Sequence, residues 1–252
     1  MMLIGILAPM PEEIELILQS MTDIEIVHSG RRDFYKGKIS GKPCVAALSR
    51  IGKVASAVTA AVMIERFGIS HLIVTGVAGG IHPELTIGDI VVATACVQHD
   101  LDARPLFRQF EAPLLQEVFF QCDPQLVQYS LEACRHLIKN NFLDLIDQQH
   151  VDKFVLGDAK VFSGLLCCGD QFIGSQSQLE KLRSSLPEAL CVEMEGGAVG
   201  QVCYEYNVKY VVVRSISDAA NDAAHIDFND YIHNVSRHYG LAIVRNIVEH
   251  LK

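Results

Sequence analysis

No segment of this 252-residue chain approaches the roughly 18 consecutive apolar residues that a membrane span requires. The opening stretch MMLIGILAPMPEE lacks a basic n-region, and Pro9, Pro11, Glu12 and Glu13 end its apolar run, so it reads as no secretory leader. Basic residues are outnumbered, 21 Lys and Arg against 30 Asp and Glu, for a formal charge of -9. Nucleic-acid backbones and anionic membranes need a basic face, so both are excluded as partners and a small-molecule ligand is expected. The eight cysteines (44, 96, 122, 134, 167, 168, 191 and 203) show neither CxxC nor Cys/His metal spacing. They sit mostly inside apolar runs and read as reduced thiols of a cytoplasmic protein. Cys167-Cys168 resembles a redox pair only on paper, because neighbours on a strand point to opposite faces. GxGxxG and GxxxxGK[ST] are both absent, which removes support for a dinucleotide fold or a P-loop. His99-Asp100-Leu101-Asp102 has the composition of a metal cluster but no second cluster at ligand spacing, so neither a metal nor a cofactor is expected.

What is present is an ordinary globular composition, half apolar and one fifth charged. Apolar runs predict strands over Leu3–Leu7, Leu72–Val77, Asp89–Val97 and Lys160–Cys168, and a hairpin of Asp33–Ile39 and Pro43–Leu48 around Gly41-Lys42. Helices are predicted over Pro11–Gln19, Val54–Phe67, Pro124–Ile138, Ser177–Ser184, Gly196–Tyr206 and from about Asn229 to Leu251. Gln98–Phe120, with Pro105, Pro113 and many charges, reads as an irregular loop or flap. No repeat, low-complexity tract or linker divides the sequence. The expectation is one α/β domain over residues 1–252, with a central, mostly parallel mixed sheet flanked by helices.

The stretch Leu190–Asn221 organises this pattern. Two short β-branched runs there end in acid, Cys191-Val192 leading to Glu193-Met194-Glu195 and Tyr210–Val213 leading through Arg214-Ser215-Ile216-Ser217 to Asp218. Residues at the carboxyl ends of such strands lie where open α/β sheets bind ligands, so Glu195 and Asp218 are expected to face one cleft. Each also admits a local reading, Glu195 as the start of helix Gly196–Tyr206 and Asp218 as a cap for the next segment of chain. Thr75-Gly76-Val77-Ala78-Gly79-Gly80 ends a strand in glycines that let backbone approach a ligand. Cys168-Gly169-Asp170-Gln171-Phe172-Ile173 leaves another strand offering an aromatic face and free amides, which suits a planar heterocycle. Phe172 fits equally as a core residue.

In order along the chain stand Ile4-Gly5-Ile6 with Met10-Pro11-Glu12-Glu13, Ser49-Arg50-Ile51-Gly52-Lys53-Val54, the glycine turn at 76–80, Gly88-Asp89-Ile90-Val91-Val92, Gly169–Ile173, Val192–Glu195 and Arg214–Asp218. Together they resemble the 5′-methylthioadenosine/S-adenosylhomocysteine nucleosidases of the nucleoside phosphorylase/hydrolase superfamily, over nearly the whole length. The resemblance implies a nucleoside phosphorylase-like fold and cleavage of the N9–ribosyl bond of 5′-substituted adenosines by water. It makes Glu13 the water-activating carboxylate and Asp218 the acid that protonates adenine N7. Met194 and Glu195 would hold the ribose, Phe172 would stack on adenine and the backbone of Ile173 would pair with its edge. Gly79, Arg214 and Ser217 join the substrate-binding set, and Met10, Ile51 and Phe228 line part of an apolar 5′ pocket. It also implies a homodimer in which a loop, here about residues 100–110 with Leu106 and Phe107, closes that pocket in the other subunit.

The chain departs from the family pattern in three places. Val77 stands where many relatives have serine, Arg50 where glycine is usual and Asn221 where aspartate often lies. A guanidinium near the ribose suits phosphate and keeps a phosphorylase reading in view, beside that of a non-catalytic purine-nucleoside-binding relative. Against phosphorolysis, the place of the phosphorylases' phosphate loop is taken by Pro9-Met10-Pro11-Glu12-Glu13, whose acids repel phosphate.

Overall fold

The computed structural model describes residues 2–140, 142–221 and 224–251, apart from the side chains of residues 142 and 225–227. The chain opens with β1 (Ile4–Ala8), fully buried, and turns at once into α1 (Pro11–Ser20). Pro11 costs that helix no hydrogen bond at its first position. The Glu13 carboxylate accepts from the Met10 amide at 2.9 Å, tying the helix start to the strand end. Next in the chain is a meander of β2 (Thr22–Ser29), β3 (Arg32–Ile39) and β4 (Lys42–Leu48), then α2 (Lys53–Phe67), which Gly68 ends at φ 68 in the left-handed region. After it come β5 (His71–Gly80), β6 (Ile90–Gln98), the two-residue β7 (Phe120–Gln121) and α3 (Pro124–Lys139), whose first amides Asp123 caps. Beyond α4 (Gln148–Lys153), the strands β8 (Val161–Cys168), β9 (Ala189–Glu193) and β10 (Lys209–Asp218) alternate with α5 (Gln176–Ser185) and α6 (Gly196–Tyr206). The chain closes with α7 (Ala224–Tyr231), a π-helical turn over Ile232–Ser236 and α8 (Arg237–His250).

All ten strands join one mixed sheet in the order β10-β6-β8-β9-β5-β1-β4-β3-β2, with β7 on β6. Because β10 also pairs with β5, five of these strands close on themselves, and β1 to β4 extend from the ring as an arm. The longest ladders, β5 with β10 and β6 with β8, are parallel. Strands β5 and β9 meet antiparallel and only at their carboxyl tips, Gly79 opposite Val192 and Gly80 opposite Cys191. That tip-to-tip contact brings the ends of β5, β9 and β10 to one place. The sheet buries alternate side chains against two helical layers, as period-two alternation requires. Ile4, Ile6, Ile73, Val211 and Val213 pack with residues of α1, α3 and α8, whereas Leu7, Val45, Val74 and Val212 pack with residues of α2 and α6.

Three elements differ from the sequence expectation. Strand β5 runs on through the predicted glycine turn, because those glycines remove the Cβ atoms that would collide with its neighbours. Strand β2, an edge strand exposed along most of its length, carries no apolar run to announce it. The last helix begins at Ala224 and is interrupted by the π turn. The stretch expected to be irregular, Gln98–Phe120, is so over residues 99–119 apart from a bridge between Ala112 and Glu117, its end residues belonging to β6 and β7. All eight cysteines are buried free thiols, and Cys167 and Cys168 belong to different core clusters on opposite faces of β8. No helix among the described residues is long and apolar enough to cross a membrane.

Candidate active site

The converging strand ends enclose a cavity of about 270 Å³. Its lining brings together Met10, Glu13, Ile51, Gly79, Phe172, Ile173, Met194, Glu195, Ser217, Asp218 and Phe228 from seven separate stretches of chain.

Glu13, at the start of α1, is 1% exposed and faces into this cavity. Its Oε2 accepts from the Met10 amide and its Oε1 from the Val77 amide, both at 2.9 Å. Burial pushes its pKa up to about 7, against the opposing pull of the Arg214 guanidinium and the two amides. Such a carboxylate takes and gives up a proton near neutral pH. Where Val77 replaces a serine, its backbone amide still makes the contact, while its isopropyl group lines the wall.

Arg214 lies under the floor, fully buried, and does not line the cavity. Its Nη2 pairs with Glu193 and, at 3.1 Å, with Glu195 Oε2, and its Nη1 donates to the Thr75 carbonyl at 3.1 Å. These carboxylates hold its proton more firmly than usual, although burial opposes. Glu195 completes its bonding through Oε1, which accepts from the Gly52 amide at 2.9 Å. Burial, reinforced by the neighbouring Glu193 charge, pushes the Glu195 pKa up, with Arg214 working in the opposite sense. Glu193 was not singled out from the sequence as a site residue, yet it lines the cavity and accepts from the Glu195 and Gly196 amides. It, not Glu195, is the carboxylate that caps α6. The signal was its place at the end of β9, one turn before the helix.

Asp218 is 2% exposed. The register of β10 on β5 slips between Ile216 and Asp218, an extra-residue bulge that leaves Ser217 unpaired. In a regular strand Ser217 and Asp218 would face opposite ways, but the bulge turns both into the cavity. The Ser217 hydroxyl donates to Asp218 Oδ2 and the Ala220 amide to Oδ1, each at 2.8 Å. The local capping and the cleft-facing readings of Asp218 thus describe the same side chain.

Opposite the acids, Phe172 is 47% exposed and meets Phe228 edge-on at 5.6 Å, so it is a wall residue of the cleft and not of the core. Its loop is anchored by Asp100, which pairs with Lys53 Nζ at 2.6 Å and accepts from the Asp170 amide at 2.8 Å. Asp102 pairs with Arg104. The His99–Asp102 acids are thereby committed to local contacts, and no group of three or more His, Cys, Asp and Glu among the described residues is placed to hold a metal ion.

Two sequence expectations fall elsewhere. The Arg50 guanidinium turns to the Arg31 carbonyl at 2.6 Å and does not enter the cavity, which corrects the picture of a cation poised for phosphate beside the ribose. Leu106 and Phe107 also lie outside this chain's cavity, in an open groove with Arg104, Pro105, Arg108 and Glu111, and Leu106 is 83% exposed. Asn221 contributes its carbonyl to the start of α7.

This arrangement has clear relatives. The Phosphorylase superfamily model matches residues 3–249. A 5′-methylthioadenosine/S-adenosylhomocysteine nucleosidase from Shewanella denitrificans is 33% identical over 98% of this chain and all of its own length. The crystal structure of the Neisseria meningitidis enzyme of that name, in complex with methylthio-immucillin-A, superposes with a TM-score of 0.86 at 30% identity, covering all of both chains. A futalosine hydrolase from Helicobacter pylori superposes with a TM-score of 0.84 at 32% identity, covering 99% of this chain and 98% of its own. The chain therefore belongs to the phosphorylase superfamily and, within it, to the 5′-methylthioadenosine/S-adenosylhomocysteine nucleosidase family.

Proposed function

We propose that the protein hydrolyses the N-glycosidic bond of 5′-methylthioadenosine, S-adenosylhomocysteine and related 5′-substituted adenosines, releasing adenine and the free 5′-substituted ribose. The observation that carries this reading is Glu13. A buried carboxylate with a pKa near neutrality stands at the cavity wall where a phosphorylase needs cations for phosphate. Breaking the bond leaves electrons on adenine and positive charge on the sugar. Asp218 supplies the proton at N7, Glu13 takes one from the attacking water, and the excess of carboxylate around Arg214 favours the oxocarbenium-like sugar. Met194 and Glu195 hold the ribose, Phe172 stacks on the base and the Ile173 backbone reads its edge. Met10, Ile51 and Phe228 receive the 5′ substituent, and no cofactor enters the scheme.

The same reading makes the enzyme a cytoplasmic homodimer in which Leu106 and Phe107 of one subunit cover the 5′ pocket of the other. Buried free thiols support a reducing compartment. Exposed Leu106 and the half-open Ile51 side of the cavity support the flap. The test is adenine release from methylthioadenosine with and without phosphate, with the sugar product weighed by mass spectrometry. The expected result is a phosphate-independent rate and free 5-methylthioribose; 5-methylthioribose 1-phosphate as main product would make the protein a phosphorylase, and nucleoside binding without turnover a non-catalytic relative.

A further inference from the structure

The chain beside the cavity-lining Ile51 carries a feature that the proposed hydrolysis does not use. Arg31, Arg32 and Arg50 gather where the β2–β3 turn meets the loop between β4 and α2, and no carboxylate among the described residues pairs with any of the three. Arg32 is fixed there, its Nε donating to Thr59 Oγ1 at 2.7 Å and its Nη2 to the Ala55 carbonyl at 3.1 Å. Arg50 is exposed and, among the described residues, bonded only to the Arg31 carbonyl; burial, and after it the Arg50 charge, lowers the proton affinity of Arg32. Two guanidinium groups without a counter-ion repel each other, and an anion between them would relieve this. In a chain of net charge -9 such an unpaired group stands out.

Its place matters as much as its charge. Ile51, the next residue, lines the cavity and is half exposed, and Gly52 donates its amide to Glu195. The Arg50 backbone adopts φ 68, in the left-handed region where a side chain meets steric cost that glycine escapes. An arginine is thus kept, against local backbone preference, one residue along the chain from the wall that receives the 5′ substituent in the proposed reading. Inside the cavity every ionisable lining residue is acidic, Glu13, Glu193, Glu195 and Asp218, so an anionic tail cannot be stabilised there. Outside the lining, Arg50 is the cation next along the chain to the cavity wall.

We propose that Arg50, backed by Arg32, forms an anion subsite that binds the terminal carboxylate of an acidic 5′ substituent, so that the enzyme favours 5′-thioadenosines with a carboxylate tail over neutral ones of equal length. This rests on the nucleosidase reading above. The test compares kcat/KM for 5′-butylthioadenosine and 5′-(3-carboxypropylthio)adenosine, which differ in the charge at the tail end. Arg50→Gly, which suits the backbone angle, is expected to lower the carboxylate-to-butyl ratio about tenfold, mainly through KM, the scale of a partly exposed charge-assisted contact. Arg50→Lys keeps the charge and is expected to hold the ratio within about threefold of wild type. A ratio that is the same in wild type and Arg50→Gly overturns the subsite, as does an equal fall in both variants. Wild-type enzyme that cleaves methylthioadenosine but neither of these also overturns the subsite, and one that cleaves none of the three overturns the nucleosidase reading itself.

Discussion

Glu13 is held in a state that costs stability at neutral pH and, in the proposed mechanism, serves catalysis. Its two amide bonds and the nearby Arg214 favour the carboxylate, but burial outweighs them and raises its pKa from 4.5 to about 7. A group whose pKa is raised on folding binds more protons in the native state. Its contribution to stability is therefore complete below about pH 4.5 and is lost as pH rises through about 7. Glu13→Gln removes that dependence, so its stability relative to wild type is expected to improve between pH 4.5 and 8 by up to about 3 kcal/mol, measured by denaturant unfolding. Activity moves the other way. Glu13→Gln and Asp218→Asn are each expected to lower kcat at least about a hundredfold, and the acid limb of kcat/KM near pH 7 should vanish in the former. A folded variant with near-normal turnover removes that residue from its role. Asp218 was legible in the sequence because it ends an apolar run, whereas Glu13 was reached only through the family resemblance. Glu193 was not legible, since its pairing with Arg214 shows only when the ends of β9 and β10 converge beside β5. The direction of Arg50 was equally hidden, because a rotamer turned to the Arg31 carbonyl leaves no trace in residue order.

Strand β5 shows how an element can be misjudged for a physical reason and still mark the site. Glycines at 76, 79 and 80 read as a turn, whereas each serves a strand that must let other groups come close. A Cβ on Gly76 would stand 2.2 Å from Arg214 Nη1 and 2.8 Å from Glu13 Oε1, at a φ of 148 that side chains rarely adopt. Gly76→Ala must therefore displace the buried ion cluster. The expected cost is about 2–4 kcal/mol, from backbone strain and a disturbed buried pair. Turnover should fall as well, read as a lower denaturation midpoint at unchanged m and a lower kcat. A fully stable and active Gly76→Ala enzyme would mean that Glu13 and Arg214 are not packed against this strand. The alternating strand and helix order, and thus the α/β class, was readable from periodicity. The closing of five strands through the β5–β10 pairing, the tip contact of β5 with β9 and the bulge at Ser217 were not, because they are non-local pairings that apolar runs do not encode.

Under the proposed reading, a single chain leaves the 5′ end of the cavity unfinished. Met10 and Phe228 line it, but Ile51 is 52% exposed, an apolar lip open to water. Within the same chain, Leu106 projects at 83% exposure from a segment that the cavity does not include. An exposed apolar tip and an open apolar lip are complementary needs, and a twofold dimer satisfies both at once, each subunit's segment covering the other's pocket. The competing account is that Phe107, half-buried, only packs under its own loop beside Arg104 and Arg108. Substrate discrimination separates the two. If Phe107 touches the alkylthio group, Phe107→Ala should weaken kcat/KM for methylthioadenosine more than for adenosine by roughly 1–3 kcal/mol, the worth of a small apolar contact in such a pocket. If it only packs locally, both substrates suffer alike and the loss appears as reduced stability. Sedimentation supplies the second arm, since the shared pocket requires a dimer at assay concentration, and a fully active monomer would place the cover of the 5′ pocket within the chain itself.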